Sequence, residues 1–251
     1  MGRVDGKICL VTGAAMGLGK AEAEALAAEG GTVILCDIDE SAGQAAATAI
    51  GHGAVFMRLD VCDEQQWQDV IARILARFGK LDVLVNNAGV IDMADIEACT
   101  LESWRRINAV SVEGTFLGVK HALPAMRQSG GGSIINTSSS AALQGVPPVP
   151  AYSAAKAAVA AMTRTIAVHC MQKGDAIRCN VIHPHNVDTP MMRAMFEQFL
   201  ADVPLDQRPE LEGAPSTSVA KTVLFLASDE SSDLNGTSIN LDRGAICVPA
   251  G

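Results

Sequence analysis

Short apolar runs alternate with longer helical stretches along the whole chain. The runs at residues 8–12, 32–37, 54–60, 81–86, 133–138, 177–182 and 238–241 are rich in Val, Ile and Leu. They lack strict polar alternation, as strands covered on both faces do. Between them, residues 17–29, 39–50, 63–78, 100–128, 152–172 and 216–228 read as helices. Asp63 is placed to cap the third helix, while Gly30-Gly31 and Gly79 end the first and third. Strand–helix alternation with short connections predicts right-handed βαβ units and an α/β fold, a doubly wound parallel sheet in three layers. No repeat or low-complexity linker divides the chain, so residues 1–251 are expected to form a single domain.

One stretch departs from this rhythm. Residues 186–215 carry Met191, Met192, Met195, Phe196, Phe199 and Leu200 between the sixth strand and the last helix. Methionine adapts to varied apolar shapes, so the segment is expected to be a lid over a substrate pocket. An amphipathic helix packed on the core is the alternative.

Composition narrows the function classes. The chain is 49% apolar and 19% charged, and 19 basic against 28 acidic residues leave a net charge of −9. That balance excludes a general binder of nucleic acid, which needs a basic patch or stripe, and argues against an anionic membrane surface. Seven cysteines are scattered without a C-x-x-C pair, the usage expected of reduced, mostly buried thiols. No metal site is predicted. No apolar run reaches the roughly 18 residues that span a bilayer, and no targeting segment is recognised, so a cytoplasmic location is expected.

The first strand runs into Thr12-Gly13-Ala14-Ala15-Met16-Gly17-Leu18-Gly19 and then a helix. Glycines at a strand–helix turn let backbone N–H groups approach a pyrophosphate, and the helix N-terminus adds its dipole. Gly13 permits the turn, Gly17 the close approach and Gly19 the tight seat of the helix on the sheet. Met16 and Leu18 lie within the same cradle. Asp37 ends the second strand, 18 residues after Gly19. A carboxylate there accepts hydrogen bonds from the ribose hydroxyls and repels the extra phosphate of NADP. No Arg or Lys occurs in residues 13–19 or 37–40 to bind that phosphate. The expected cofactor is NAD. The alternative role of Asp37 is to cap the second helix.

The Gly-x-x-x-Gly-x-Gly spacing, Asn86-Asn87-Ala88-Gly89 and Tyr152-Ser-Ala-Ala-Lys156 together resemble the short-chain dehydrogenase/reductase family, in its single-domain, Rossmann-type branch. The resemblance covers essentially the whole chain. Tyr152 is the only tyrosine, and Lys156 lies one helical turn later on the same face. Moving a hydride from an alcohol needs a base for the hydroxyl proton. A free phenol, with its pKa near 10, is poorly matched to neutral pH. A nearby ammonium and the positive nicotinamide ring are expected to lower it.

The resemblance implies further roles. Ser139 aligns with the catalytic serine that holds the substrate oxygen, although Ser138 and Ser140 are adjacent. Asn108 matches the fourth member of the catalytic tetrad, which holds a relay water, unless it merely accommodates a helix kink. Asn87, Ala88 and Gly89 match a segment that stabilises the sheet and contacts the cofactor, and Asp60 and Val61 match the adenine segment. Tyr152 and Lys156 are also expected to touch the cofactor. In His183-Pro184-His185-Asn186-Val187-Asp188-Thr189, the family normally carries glycine at the position of His185. Pro184, Val187 and Thr189 are still expected to hold the nicotinamide end. His185 either touches substrate or is an ordinary loop residue. The same His-Pro-x-x-Val-x-Thr-Pro form occurs in a branch acting on cyclic terpene alcohols, whose usual insertion after the second strand this chain lacks.

Small apolar residues on nearly every face of the helix after Tyr152 imply burial on two sides. Family members are usually homotetramers built on this helix and the preceding one, and the same is expected here. The reading is therefore an NAD(H)-dependent secondary alcohol dehydrogenase, equally a ketoreductase, with a hydrophobic, cyclic alcohol or ketone as its small-molecule partner. A 3-oxoacyl thioester reductase is the alternative within enzymes, and a non-catalytic nucleotide sensor the alternative outside them.

Overall fold

The computed structural model describes residues 2–201, 203–204, 207–210 and 212–247. The strands are β1 (Ile8–Thr12), β2 (Thr32–Asp37), β3 (Val55–Arg58), β4 (Val83–Asn86), β5 (Gly132–Thr137), β6 (Ile177–Pro184), β7 (Val187–Asp188), β8 (Ala214–Pro215) and β9 (Ser238–Leu241). The helices are α1 (Gly17–Ala28), α2 (Glu40–Ile50), α3 (Glu64–Phe78), α4 (Leu101–Asn108), α5 (Gly114–Gln128), α6 (Pro150–Lys173), α7 (Pro190–Phe199) and α8 (Ser216–Ala227). Seven strands make one parallel sheet in the order β3-β2-β1-β4-β5-β6-β9, and β7 pairs with β8 apart from it. The order reverses between β1 and β4, so the carboxyl ends of those strands open the crevice where doubly wound sheets bind ligands. The expected single-domain α/β fold is what forms.

Alternate residues of each central strand feed two cores. Leu10, Ile34, Leu84 and Ile134 meet Trp67 and Ile74 of α3, Leu117 and Met126 of α5 and Ala167 of α6. Val11, Leu35, Val85 and Ile135 meet Ala23 and Leu26 of α1 and Val219 and Val223 of α8. Trp67 is fully buried, and its indole Nε1 donates to the Val61 carbonyl at 3.0 Å, which satisfies its one polar group. A buried chain of amides crosses the first core: Asn86 Nδ2 donates to Asn136 Oδ1 at 2.9 Å, and Asn136 Nδ2 to Thr163 Oγ1 at 2.9 Å.

The strands expected at 54–60 and 81–86 are shorter at both ends or at their start, and β6 runs two residues further than expected, to Pro184. Asp63 caps α3 by accepting from Gln66 N, and Gly79 ends it in the left-handed region at φ 76°. The helix expected over 100–128 carries a π-helical turn at Ala109–Glu113 between α4 and α5. Asp39, not Asp37, caps α2, its Oδ1 accepting from Ala42 N at 2.9 Å. Of the cysteines, expected to be mostly buried, Cys9, Cys36, Cys170 and Cys179 are buried, Cys62 and Cys247 are exposed and Cys99 lies between. Among the described residues, no helix is long and apolar enough to cross a membrane.

The 186–215 segment contains β7, the exposed α7 and β8, while positions 202, 205, 206 and 211 of it lie outside the described residues. No residue of α7 is fully buried, and Met192, Met195 and Phe196 are half-buried.

Candidate active site

The glycine-rich turn is built from backbone contacts that exclude side chains. Gly13 sits at φ 64° and Gly17 at φ 58°, conformations that favour glycine. A Cβ on Gly19 would stand 2.3 Å from the Gly13 carbonyl oxygen and 2.5 Å from Asn87 Nδ2. Asn87 explains that closeness: its Nδ2 donates to the carbonyls of Thr12 (3.0 Å) and Gly13 (3.2 Å). Thr12 Oγ1 in turn accepts from the N–H groups of Asn87 and Ala88, both at 3.1 Å. Sequence reasoning missed this bracing by Thr12.

Met16 is the N-cap of α1 and is about half exposed, and its side chain accepts no capping hydrogen bond. Leu18 packs partly into the second core. Asp37 Oδ2 accepts from Ala15 N at 3.1 Å and Oδ1 from Asp39 N at 3.1 Å. The carboxylate therefore lies against the glycine-rich turn. Asp60 Oδ1 accepts from Cys62 N at 2.9 Å, which shapes the turn that buries Val61.

At the far side of the crevice, Pro184 is paired with Leu241 and Val187 with Ala214, both buried. Thr189 caps α7, its Oγ1 accepting from Met192 N at 3.2 Å. A Cβ on Gly17 would meet Pro190 at 3.4 Å and Thr189 at 3.7 Å. The start of α1 and the start of α7 thus face each other across the carboxyl edge of the sheet.

Tyr152 and Lys156 share the first turns of α6. The Tyr152 ring packs with Ile107, Ala151 and Ala155, and the Ser139 hydroxyl is the side-chain group that acts on its phenol. Burial pushes the phenol pKa up, with Ser139 opposing it. Lys156 is 3% exposed; its Nζ donates to the Thr137 carbonyl at 2.8 Å and lies 5.5 Å from the Tyr152 ring centroid. Gly89 makes room for it, since a Cβ there would stand 3.2 Å from Nζ. Burial brings the Lys156 pKa down to about 8, with the Glu22 carboxylate opposing the shift.

The three consecutive serines divide their work. Ser138 Oγ donates to the Lys156 carbonyl at 2.7 Å, and Ser140 Oγ lies 2.8 Å from His185 Nδ1. Of the three, Ser139 is the one that acts on the Tyr152 phenol. Asn108 ends α4, its Nδ2 donating to the Trp104 carbonyl at 2.8 Å, and the π turn follows directly. Such turns widen a helix locally and are often found at functional sites. The turn packs against α6, and Ser111 within it is buried close to Gly89.

Sequence reasoning also missed Glu22. It is fully buried on the inner face of α1, neither carboxylate oxygen has a hydrogen-bond partner, and burial raises its pKa to about 8. A glutamate three residues after Gly19 carries no signal of this, because only packing reveals which helix face it occupies.

Comparison with known proteins places this geometry. A family model described as enoyl-(acyl carrier protein) reductase matches residues 13–245. The chain belongs to the short-chain dehydrogenase/reductase family. Within that family it is 40% identical to a 3-beta-hydroxysteroid dehydrogenase of Comamonas testosteroni over 248 residues, 97% of each chain. It is 39% identical to a cyclopentanol dehydrogenase of Comamonas sp. (strain NCIMB 9872), covering 97% of this chain and 98% of that one. The crystal structure of levodione reductase matches with a TM-score of 0.91 at 30% identity, covering 98% of this chain and all of the other. The protein is accordingly an oxidoreductase acting on CH–OH groups with a nicotinamide cofactor. The residues present fit that cofactor: a cradle where Cβ atoms would clash, a helix start without a side-chain cap, and Asp37 beside both.

Proposed function

We propose that this short-chain dehydrogenase/reductase interconverts a hydrophobic cyclic secondary alcohol and its ketone with NAD(H). The observation that carries the reading is the buried Lys156 amine, 5.5 Å from the Tyr152 ring centroid and held by the Thr137 carbonyl, with Ser139 acting on the same phenol. Ser139 holds the substrate oxygen against the phenol. Tyr152 takes the hydroxyl proton in oxidation and returns it in reduction. Lys156 favours the phenolate and orients the cofactor, and Asn108 at the π turn holds a water that relays protons to solvent. When bound, the nicotinamide accepts the hydride from the carbinol carbon or gives it back to the ketone.

Gly13, Met16, Gly17, Leu18 and Gly19 line the pyrophosphate, Asp60 and Val61 the adenine, and Asn87, Ala88 and Gly89 the nicotinamide side. Pro184, Val187 and Thr189 close the nicotinamide end, and residues 186–215 act as the lid. Asp37, with no nearby Arg or Lys on the turn, favours NAD over NADP. It also disfavours a 3-oxoacyl thioester reductase, which ordinarily uses NADPH. The exposed methionine and phenylalanine side chains Met191 and Phe199 on α7 suit an apolar substrate, and the relatives named for cyclic alcohols and steroids support that class. The working assembly is a homotetramer packed through α5 and α6.

The test is a spectrophotometric panel of cyclopentanol, a 3β-hydroxysteroid, linear alcohols and polyols with NAD and with NADP. Turnover is expected for the cyclic alcohols with NAD. Preference for polyols, or equal efficiency with NADP, contradicts the reading.

A further inference from the structure

His185 stands where this family usually has glycine, and it does not hang free. Its Nδ1 lies 2.8 Å from Ser140 Oγ, and its backbone N–H donates to the Leu241 carbonyl at 3.2 Å. Two residues earlier, His183 is buried, and its Nδ1–H donates to the Ser139 carbonyl at 3.2 Å. Burial lowers the pKa of His183, which keeps it a neutral donor. Both histidines are anchored by the pairing of β6 with β9, where His183 faces Asn240 and Pro184 faces Leu241.

The target of these contacts is the single 3₁₀ turn Ser140–Ala142 that follows Ser139. Ser139 Oγ accepts from Ala141 N at 3.2 Å inside that turn, so the direction of its hydroxyl depends on how the turn sits. On the strand side of Ser139, Ser138 is fixed, bonding to Ile182 through its backbone and to Lys156 through its side chain. The turn's first residue, on the other side of Ser139, makes the Ser140–His185 contact. On the far side, His185 leads within four residues to Thr189, the cap of α7.

We propose that His185 is a positioning residue for Ser139: through Ser140 it clamps the turn that aims the Ser139 hydroxyl at Tyr152, and ties that turn to the segment carrying α7. A glycine at this position has no side chain to make the link. The inference rests on the reading of Ser139 as the oxygen anchor. Small misplacements of an anchoring group cost rate rather than ground-state affinity, because alignment matters most in the transition state.

The test combines a direct readout of the contact with kinetics on the full-length protein. In ¹⁵N-histidine spectra, Ser140→Ala is expected to move the His185 Nδ1 resonance and leave that of His183 nearly unchanged. With NAD and cyclopentanol or a 3β-hydroxysteroid as probes, His185→Ala is expected to lower kcat about 10-fold with KM within about 2-fold. Ser140→Ala should do the same, and the double variant should be no worse than either single one. His185→Asn, whose amide reaches the place of Nδ1, should recover most of the rate. An unmoved His185 resonance, additive losses, or full activity in His185→Ala beside an inactive Ser139→Ala overturns the clamp alone. Full activity in Ser139→Ala overturns the reading beneath it, and the clamp with it.

Discussion

Lys156 Nζ lies 5.5 Å from the centroid of the Tyr152 ring and is held by the Thr137 carbonyl at 2.8 Å. The amine is thereby fixed at the carboxyl end of β5, where it can favour phenolate without forming an ion pair that would trap it. Replacing it by methionine keeps much of the stem and removes the charge. Lys156→Met is expected to lower kcat by at least about 100-fold, the usual weight of acid–base assistance. NADH fluorescence titration should show weaker binding as well. Wild-type turnover in this variant contradicts the role assigned to the amine.

Glu22 makes a stability prediction with a definite sign. Its pKa is near 8 when folded against an ordinary carboxyl value of 4.5, so the folded protein holds a proton that the unfolded chain has lost between those pH values. Stability from this site is therefore complete below pH 4.5, falls as pH rises to about 8 and is level beyond. The penalty at pH 7 is on the order of 3 kcal/mol. Glu22→Met should raise Tm by several degrees at pH 8 and much less at pH 5. Equal shifts at both pH values in thermal unfolding contradict the assignment. Because the carboxylate supports the Lys156 charge, the same variant should also move the Lys156 titration to lower pH.

Asp37 sets the coenzyme preference. Asp37→Ser removes the acceptor and the negative charge while leaving the Asp39 cap of α2 in place. The expected outcome is a loss of about 10- to 100-fold in kcat/KM for NAD, from lost charged hydrogen bonds, with a gain for NADP. Steady-state kinetics with both coenzymes check it. An unchanged ratio contradicts it.

Gly19 is constrained by space rather than by its dihedral angles. Gly19→Ala drives a methyl group into the Gly13 carbonyl and the Asn87 amide, neither of which is a flexible tip. A loss of about 1–3 kcal/mol in unfolding free energy is expected, together with weakened NADH binding. Gly145→Ala, with no atom near the added carbon, is the control and should be neutral in stability.

Much of this architecture was legible before any coordinates. The Val- and Ile-rich runs mark β1, β2, β5 and β6 because strands covered on both faces read as near-continuous apolar runs. The glycine-rich turn and the Tyr152–Lys156 pair are legible because their spacing reflects local geometry. Asp63 was legible as a cap for the same reason, whereas Asp37 and Asp39 were not separable, since either carboxylate stands at the start of the same helix. The π turn at Ala109–Glu113 was hidden because a one-residue widening leaves helical periodicity nearly unchanged. Glu22 and the partners of Ser138 and Ser140 depend on contacts between distant segments, which no local pattern encodes. The depth at which the Tyr152 phenol is buried, which raises its pKa, is likewise invisible in spacing.

The most direct test is the single-turnover reaction of Tyr152→Phe. This variant keeps the ring that packs on Ile107 and Ala155 and loses only the hydroxyl. With NAD and cyclopentanol or a 3β-hydroxysteroid, NADH formation should fall by more than about 100-fold. NADH affinity by fluorescence titration should stay close to the wild-type value. NADH formation at the wild-type rate in Tyr152→Phe would contradict the account at its centre.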